Sequence, residues 1–168
     1  MLTHSILSSP LGPLHLVTTP EHQVAALDFE ANQARLQSHL ARHNRAATPG
    51  SPPPQITAAL SAYFAGDLEA LAAIATTPAG TPFQHRVWAE VRAVPPGQTR
   101  SYAQIAQSLG QPSASRAIGM ANAQNPILLL IPCHRILGST GRLTGYAGGA
   151  AHKDWLLTHE GARAPRFL

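Results

Sequence analysis

Apolar positions near the start of the chain come in short runs broken by turn residues. Ser5-Ile6-Leu7-Ser8 and Leu14-His15-Leu16-Val17-Thr18 flank Ser9-Pro10-Leu11-Gly12-Pro13, a pattern that predicts two strands around a turn. Val24-Ala25-Ala26-Leu27-Asp28-Phe29 predicts a third strand after Pro20-Glu21-His22. The period then lengthens, and Leu36 and Leu40 fall on one face of a helix expected over residues 31–43. Residues 44–55 contain Pro49-Gly50-Ser51-Pro52-Pro53-Pro54 and are predicted to be a loop or linker without regular structure. A helix over Ile56 to Phe64 follows, with Leu60 in register.

A second run of helical pattern starts at Thr81-Pro82-Phe83, where proline suits the first turn of a helix. Phe83, Val87 and Val91 share a face, Trp88 lies beside them, and Pro95-Pro96-Gly97 ends the helix. Ser101 opens a short helix from Tyr102 to Leu109, Gly110 follows it, and Ser113 is the expected cap of a further helix reaching Asn122. Helix, glycine-containing turn and helix outline a helix-turn-helix. The run Ile127 to Pro132 reads as a buried strand.

Composition narrows the class. Of 168 residues, 44% are hydrophobic, enough for a true core. No apolar run reaches the roughly 20 residues of a membrane helix, and Met1-Leu2-Thr3-His4-Ser5 lacks the basic start and apolar stretch of a secretion signal. A cytoplasmic protein is the expectation, or a nuclear one in a eukaryote, with no membrane partner. The net charge of +4 is unevenly spread. Residues 1–80 hold three arginines against five acids, a balance of −2, whereas residues 81–168 hold eight arginines and Lys153 against three acids, a balance of +6. An arginine-rich half suits phosphate contacts, although a solvated basic surface accounts for the charge equally well.

One cysteine in the chain excludes an internal disulfide and Cys-rich zinc sites. It stands in Asn125-Pro126-Ile127-Leu128-Leu129-Leu130-Ile131-Pro132-Cys133-His134-Arg135. The apolar run delivers the thiol to the end of a buried segment, and a neighbouring imidazole and guanidinium lower the cost of forming thiolate. A base is usually held by a third group, and Glu160 in Thr158-His159-Glu160-Gly161 is the best candidate among the few acids. The glycine-rich stretch 138–149 has no Gly-Lys-Ser/Thr of a phosphate-binding loop. Its glycines instead permit close backbone approach to a flat ligand, with Tyr146 as a wall.

Pro132-Cys133-His134-Arg135, preceded by Asn125-Pro126 and followed by Gly145-Tyr146-Ala147-Gly148-Gly149, resembles the signature of the 6-O-alkylguanine-DNA alkyltransferases. The likeness extends to Phe83-Gln84-His85-Arg86-Val87-Trp88, Pro96-Gly97-Gln98-Thr99-Arg100-Ser101-Tyr102, Ser115-Arg116-Ala117-Ile118-Gly119 and Trp155-Leu156-Leu157-Thr158-His159-Glu160-Gly161. It implies an α+β protein: a small N-terminal α/β domain with an antiparallel, ribonuclease H-like sheet over residues 1–78, then a mostly helical catalytic domain over 79–168 carrying the helix-turn-helix.

The resemblance also implies a monomer that needs no cofactor or metal. Such a protein transfers an alkyl group from 6-O-alkylguanine, and from 4-O-alkylthymine, in double-stranded DNA to Cys133, once per molecule. A relay of Glu160, His134, a water and Cys133 is implied, with Asn125 as hinge and Tyr102 as hydrogen-bond donor to the departing guanine. Arg116 is implied to fill the stack vacated by the flipped nucleotide. Ser101, Tyr102, Ser113, Ala114, Ser115 and Arg135 are the other expected DNA contacts, and Ile136, Tyr146, Ala147 and Asn122 the expected pocket. Ala147 stands where some relatives have serine, and Asn122 where some are apolar. Three other readings stand beside this one: a non-catalytic damage sensor, which lacks the cysteine; a helix-turn-helix regulator, which leaves Pro132–Arg135 unexplained; and a cysteine hydrolase, which requires turnover.

Overall fold

The computed structural model describes residues 1–138, 141 and 146–163, so Gly145 of the Gly145–Gly149 motif and most of the stretch before it lie outside the described residues. By their contacts the residues divide into two compact units, Met1–Gly80 with Pro126–Leu130, and Thr81–Asn125 with Ile131–Leu168.

The first unit is built on a four-stranded sheet in which β3 (Val24–Phe29), β2 (Leu14–Thr18), β1 (Leu2–Leu7) and β4 (Ala47–Pro49) lie side by side in that order. Strands β1 (Leu2–Leu7), β2 (Leu14–Thr18) and β3 (Val24–Phe29) are antiparallel neighbours, joined as the run pattern predicts. The β1–β2 turn closes through Gly12, which adopts φ 89° and donates its N–H to the Ser9 carbonyl at 3.0 Å. Every residue of β2 and β3 is buried. Helix α1 (Gln33–Arg42) places Leu36 and Leu40 against Val17, Ala25 and Ala26 of the sheet, the side its spacing indicated. Buried Asp28 accepts from Arg35 at 2.6 Å and from Asn32 at 2.9 Å, so its charge is paired rather than stranded.

Two expectations are corrected in this unit. Within the proline-rich stretch 44–55, expected to lack regular structure, Ala47–Pro49 forms β4, parallel to β1 with Thr3 opposite Thr48. Proline is tolerated there because β4 is an edge strand. Gly50 follows in close contact, since a Cβ added to it would lie 2.6 Å from Thr3 Cγ2. Helix α2 (Pro54–Phe64) then starts on the last proline of the run. The expected strand Ile127–Pro132 is instead a single bridge, Ile127 beside Leu27, followed by turns in which Leu129 takes φ 71°. The Leu27 N–H donates to the Pro126 carbonyl at 3.0 Å, and the Leu128 N–H to the Leu27 carbonyl at 2.9 Å. Together with residues 75–77, which pair Val24 in the same way, this segment covers the outer edge of β3 and removes an open pairing edge.

The second unit is helical. Helix α3 (Pro82–Arg92) starts with Thr81 and Gln84 in a reciprocal capping box and Pro82 at its first turn, which satisfies amide groups that no helical carbonyl reaches. It buries Val87, Trp88 and Val91, while Phe83 is only half-buried. Ser101 and Gln104 form a second capping box opening α4 (Tyr102–Ser108). Gly110 takes φ 70° in the turn that follows, and α5 (Ser115–Ala123) completes the helix-turn-helix. The expected Ser113 cap is corrected: the residue before α5 is Ala114, and no side chain caps it. The Trp88 indole donates to the Ala121 carbonyl at 2.9 Å and locks α3 to α5. Helix α6 (Ala150–His159) closes the unit. Strands β5 (Arg100–Ser101) and β6 (Ile136–Leu137) pair in parallel, which sets the start of α4 beside the segment carrying Cys133. None of the described helices is long and apolar enough to cross a membrane.

Candidate active site

The site lies wholly in the second unit and begins with one backbone turn. Pro132 sits at φ −80°, ψ 65°, and the Cys133 N–H donates back to the Ile131 carbonyl at 2.7 Å, an inverse γ-turn. The proline ring already holds φ near this value, so the turn that aims Cys133 is preset by residue type. The buried Asn125 amide donates to the same Ile131 carbonyl at 2.8 Å, tying the chain two residues beyond α5 to the γ-turn. Cys133, His134 and Arg135 then form one 3-10 turn, all buried.

Glu160, immediately after α6, is the anion around which this turn is organised. Its Oε2 accepts from His134 Nε2 at 2.9 Å and from an Arg135 terminal nitrogen at 2.8 Å, and its Oε1 accepts from Arg135 Nε at 2.8 Å. Burial works to raise the Glu160 carboxyl, but hydrogen bonds and charge from Arg135 and His134 outweigh it and hold the group well below the ordinary carboxylate range. The Pro96-Gly97 turn lies against the Glu160 backbone. Gly97 has φ 84°, and a Cβ there would stand 3.2 Å from the Glu160 carbonyl oxygen, so only glycine fits without strain.

The ionised carboxylate decides the histidine tautomer. Burial foremost lowers the His134 pKa, against the pull of Glu160, so the ring is neutral near pH 7. A neutral ring facing a carboxylate through Nε2 carries its proton there. Nδ1 is therefore the lone-pair nitrogen, and it is buried with no hydrogen-bond partner. A ring nitrogen without a proton stands next in sequence to a buried thiol, a pair of groups whose chemistry suits nucleophile activation, directly or through one water.

The sequence comparisons agree with this chemistry. Residues 2–78 match the family described as "6-O-methylguanine DNA methyltransferase, ribonuclease-like domain", and residues 82–162 match "6-O-methylguanine DNA methyltransferase, DNA binding domain". The chain belongs to the 6-O-methylguanine DNA methyltransferase family. It is 42% identical over 163 residues to the methylated-DNA–protein-cysteine methyltransferase of Salmonella typhimurium, covering 92% of this chain and 93% of that one. A Mycobacterium bovis protein of the same name is 49% identical over 109 residues, 65% of this chain and 66% of its own. The crystal structure of Mycobacterium tuberculosis OGT in complex with DNA superposes with a TM-score of 0.81 at 38% identity, covering 97% of this chain and 95% of that one.

In this 6-O-methylguanine DNA methyltransferase family member, most site residues read from the sequence converge. Asn122 of α5 is buried and points an amide N–H at the Cys133 carbonyl, 3.4 Å away. Tyr102, the first residue of α4, lies close enough for its phenol to be pushed up by burial and by the Cys133 charge, with a hydrogen bond from Asn122 acting the other way. The Tyr146 ring meets His134 edge-on at 6.2 Å between centroids. Ile136 is buried at β6, and Ala147 is half-buried. Arg116 and Ser113 are exposed, and Ala114 and Ser115 are half-buried, on or just before α5. The Ser101 hydroxyl accepts the Gln104 N–H at 3.1 Å and so also serves as a helix cap.

One assignment is corrected and one residue was missed. Arg135 was expected to meet DNA, but it is buried and its guanidinium is spent on both Glu160 oxygens and, at 2.7 Å, on the Val94 carbonyl. Its role is internal, holding Glu160 ionised. Lys153 entered the sequence reading only as part of the basic half's charge. It is fully buried on α6 and donates to the Ile136 carbonyl at 2.7 Å. Burial pushes its pKa down to about 8, opposed by the Cys133 charge. The signal was available, since Lys153 shares a helix face with Leu156, Leu157 and Glu160, where a surface lysine does not belong. Among the described residues no group of three His, Cys, Asp or Glu side chains gathers as a metal site.

Proposed function

We propose that this protein acts as a monomer on double-stranded DNA containing 6-O-alkylguanine, and also 4-O-alkylthymine, and takes the alkyl group onto Cys133 in a single turnover. The observation that carries the reading is the Glu160 carboxylate facing His134 Nε2, which supports an unprotonated Nδ1 on the residue that follows Cys133 in sequence. His134 accepts the thiol proton through a water. The Sγ lone pair then attacks the alkyl carbon in line, the S–C bond forms, and the C–O6 bond breaks with its electron pair passing to the guanine. Tyr102 donates a hydrogen bond to the departing base, which finally takes up one proton to become guanine. The product thioether offers no leaving group for hydrolysis, so the thiol is not regenerated. A flipped nucleotide is needed because the lesion is otherwise stacked in the duplex.

The reading is tested by incubating the protein with a methylated-guanine duplex and weighing it intact. A gain of one CH2 unit on Cys133, never more than one per molecule, is expected. Unchanged mass with retained lesion binding points to a damage sensor, and repeated turnover points to a hydrolase.

Arg116 stands exposed on α5, among small residues that let a helix approach the DNA minor groove. Filling the gap of a flipped nucleotide matters only in a duplex. Arg116→Ala should therefore slow transfer from duplex DNA much more than from the free methylated base, by up to the unstacking cost of ~a few kcal/mol. Arg116→Lys should rescue poorly, because lysine has no flat face to stack. Single-turnover rates on both substrates check this; equal losses, or full rescue by lysine, would give Arg116 a phosphate-contact role instead.

A further inference from the structure

Among the described residues of the second unit, one large apolar side chain stands mostly in water: Met120 of α5, 65% exposed. It lies one helical turn beyond Arg116, so both project from the same stripe of the helix. Beside it, a groove of about 210 Å³ runs between α5 and the start of α3. Its apolar lining comes from Phe83, Ala117, Met120 and Ala121, and its polar lining from Thr81, Gln84 and Gln124. The polar groups are turned on one another. The Thr81 N–H donates to the Gln84 amide oxygen at 2.9 Å, and the Thr81 hydroxyl accepts the Gln84 backbone N–H at 3.1 Å. The Gln84 NH2 donates to the Gln124 amide oxygen at 2.5 Å. What the groove offers a partner is therefore mostly carbon and a thioether, with no charged side chain in its lining.

That chemistry selects among the parts of a DNA strand. A phosphate finds no cation there, and a base edge finds few free hydrogen-bonding groups. The sugar, uncharged and mainly carbon, is the part that matches. A protein partner fits less well, because a standard interface buries about 800 Å² on each side, far more than one side chain and a slot of this size provide. We propose that Phe83 and Met120 form a seat for one deoxyribose of the bound strand near the lesion, and that this contact favours DNA over RNA. The proposal rests on the reading that α5 lies in the minor groove, the side on which the 2′-position of each sugar is displayed. A ribose hydroxyl pressed onto this lining loses its water and gains no partner.

The test measures binding of methylated-guanine duplexes by wild type, Met120→Ala and Arg116→Ala. One duplex is all deoxyribose, and the others carry a single ribonucleotide at each position around the lesion in turn. Wild type should bind one of the substituted duplexes about tenfold more weakly than the all-deoxyribose duplex, the cost of burying a hydroxyl without a partner. Met120→Ala should bind the all-deoxyribose duplex about tenfold more weakly than wild type, a loss that roughly 55 Å² of apolar surface left uncovered accounts for. It should also lose most of the discrimination at the sensitive position. Because the contact carries no charge, affinity should fall with salt equally steeply in Met120→Ala and wild type. Equal discrimination by the two proteins, or a shallower salt dependence in Met120→Ala, would overturn the proposal. Comparing duplexes within each protein removes any difference in folded fraction. If Arg116→Ala weakens binding and Met120→Ala does not, the sugar seat falls and the minor-groove reading stands; if neither weakens it, both fall. A changed oligomeric state in Met120→Ala, with unchanged DNA affinity, makes the groove a contact between copies and overturns the proposal as well.

Discussion

Cys133→Ser should take up no methyl group at all from methylated-guanine duplex, while binding that duplex nearly as well as wild type. Serine keeps the size and the backbone γ-turn, but its hydroxyl is far less acidic and far less nucleophilic than a thiol. A neutral imidazole can help form a thiolate near neutral pH, but it cannot form appreciable alkoxide. Affinity is expected to persist because it comes chiefly from phosphate contacts on the basic half, and Cys133 is 1% exposed. Intact mass after prolonged incubation, together with salt-dependent binding of the lesion duplex, checks both halves. Any methylated Cys133→Ser protein would mean that the acceptor lies elsewhere. Loss of binding alongside loss of transfer would mean that the thiol helps hold the DNA. Cys133→Ala separates a residual hydroxyl effect from the absence of any acceptor and should behave the same way.

Glu160→Gln should slow transfer by ~10²–10⁴-fold, the span attributed to general acid–base help, and should also destabilise the fold. The carboxylate accepts three hydrogen bonds, one from His134 and two from Arg135. Glutamine offers one oxygen and one NH2 to those donors. If its NH2 faces His134 Nε2, the ring must move its proton to Nδ1, and the base in front of Cys133 disappears. If its oxygen faces His134 instead, a guanidinium N–H of Arg135 is opposed by another donor. Either way, Arg135 remains buried without its anion, which costs about 3–5 kcal/mol. Single-turnover rates and thermal unfolding measure the two effects separately. Transfer at the wild-type rate would remove Glu160 from the relay.

The same groups set an acid limit on stability. Glu160 has its folded pKa depressed, so its contribution is full above the ordinary unfolded value of about 4.3 and is lost as pH falls below it. His134 is also depressed in the fold. The unfolded chain therefore binds its proton first, and stability already declines as pH drops through about 6.5. Glu160→Gln should abolish the lower part of this acid dependence and leave the upper part.

Much of the fold was legible because it rests on local rules. Apolar period and turn residues placed β2, β3 and helices α1 to α5 to within a residue or two, while β1 starts three residues before the expected Ser5 and α6 was not expected; the Thr81-Pro82 and Ser101 starts are helix caps that the sequence spells out. What escaped depends on partners far along the chain. Ala47–Pro49 becomes a strand only because β1 offers an edge, and no local pattern overcomes its proline. Ile127 pairs singly because Leu27 is beside it, not because the run has strand periodicity.

At the site, residue types alone were enough to single out the proposed nucleophile, base and anchor: one cysteine after a proline, a histidine next to it, and scarcely any acids to choose from. The tertiary structure decided which atoms work. It turned Arg135 from an expected DNA contact into the partner of Glu160, and it brought Lys153 to the Ile136 carbonyl. It also set the Asn122 amide on the Cys133 carbonyl and against the Tyr102 phenol. Side-chain chemistry is written in the sequence. Burial, ionisation and the donor or acceptor role of each atom arise only when distant residues are packed together out of water.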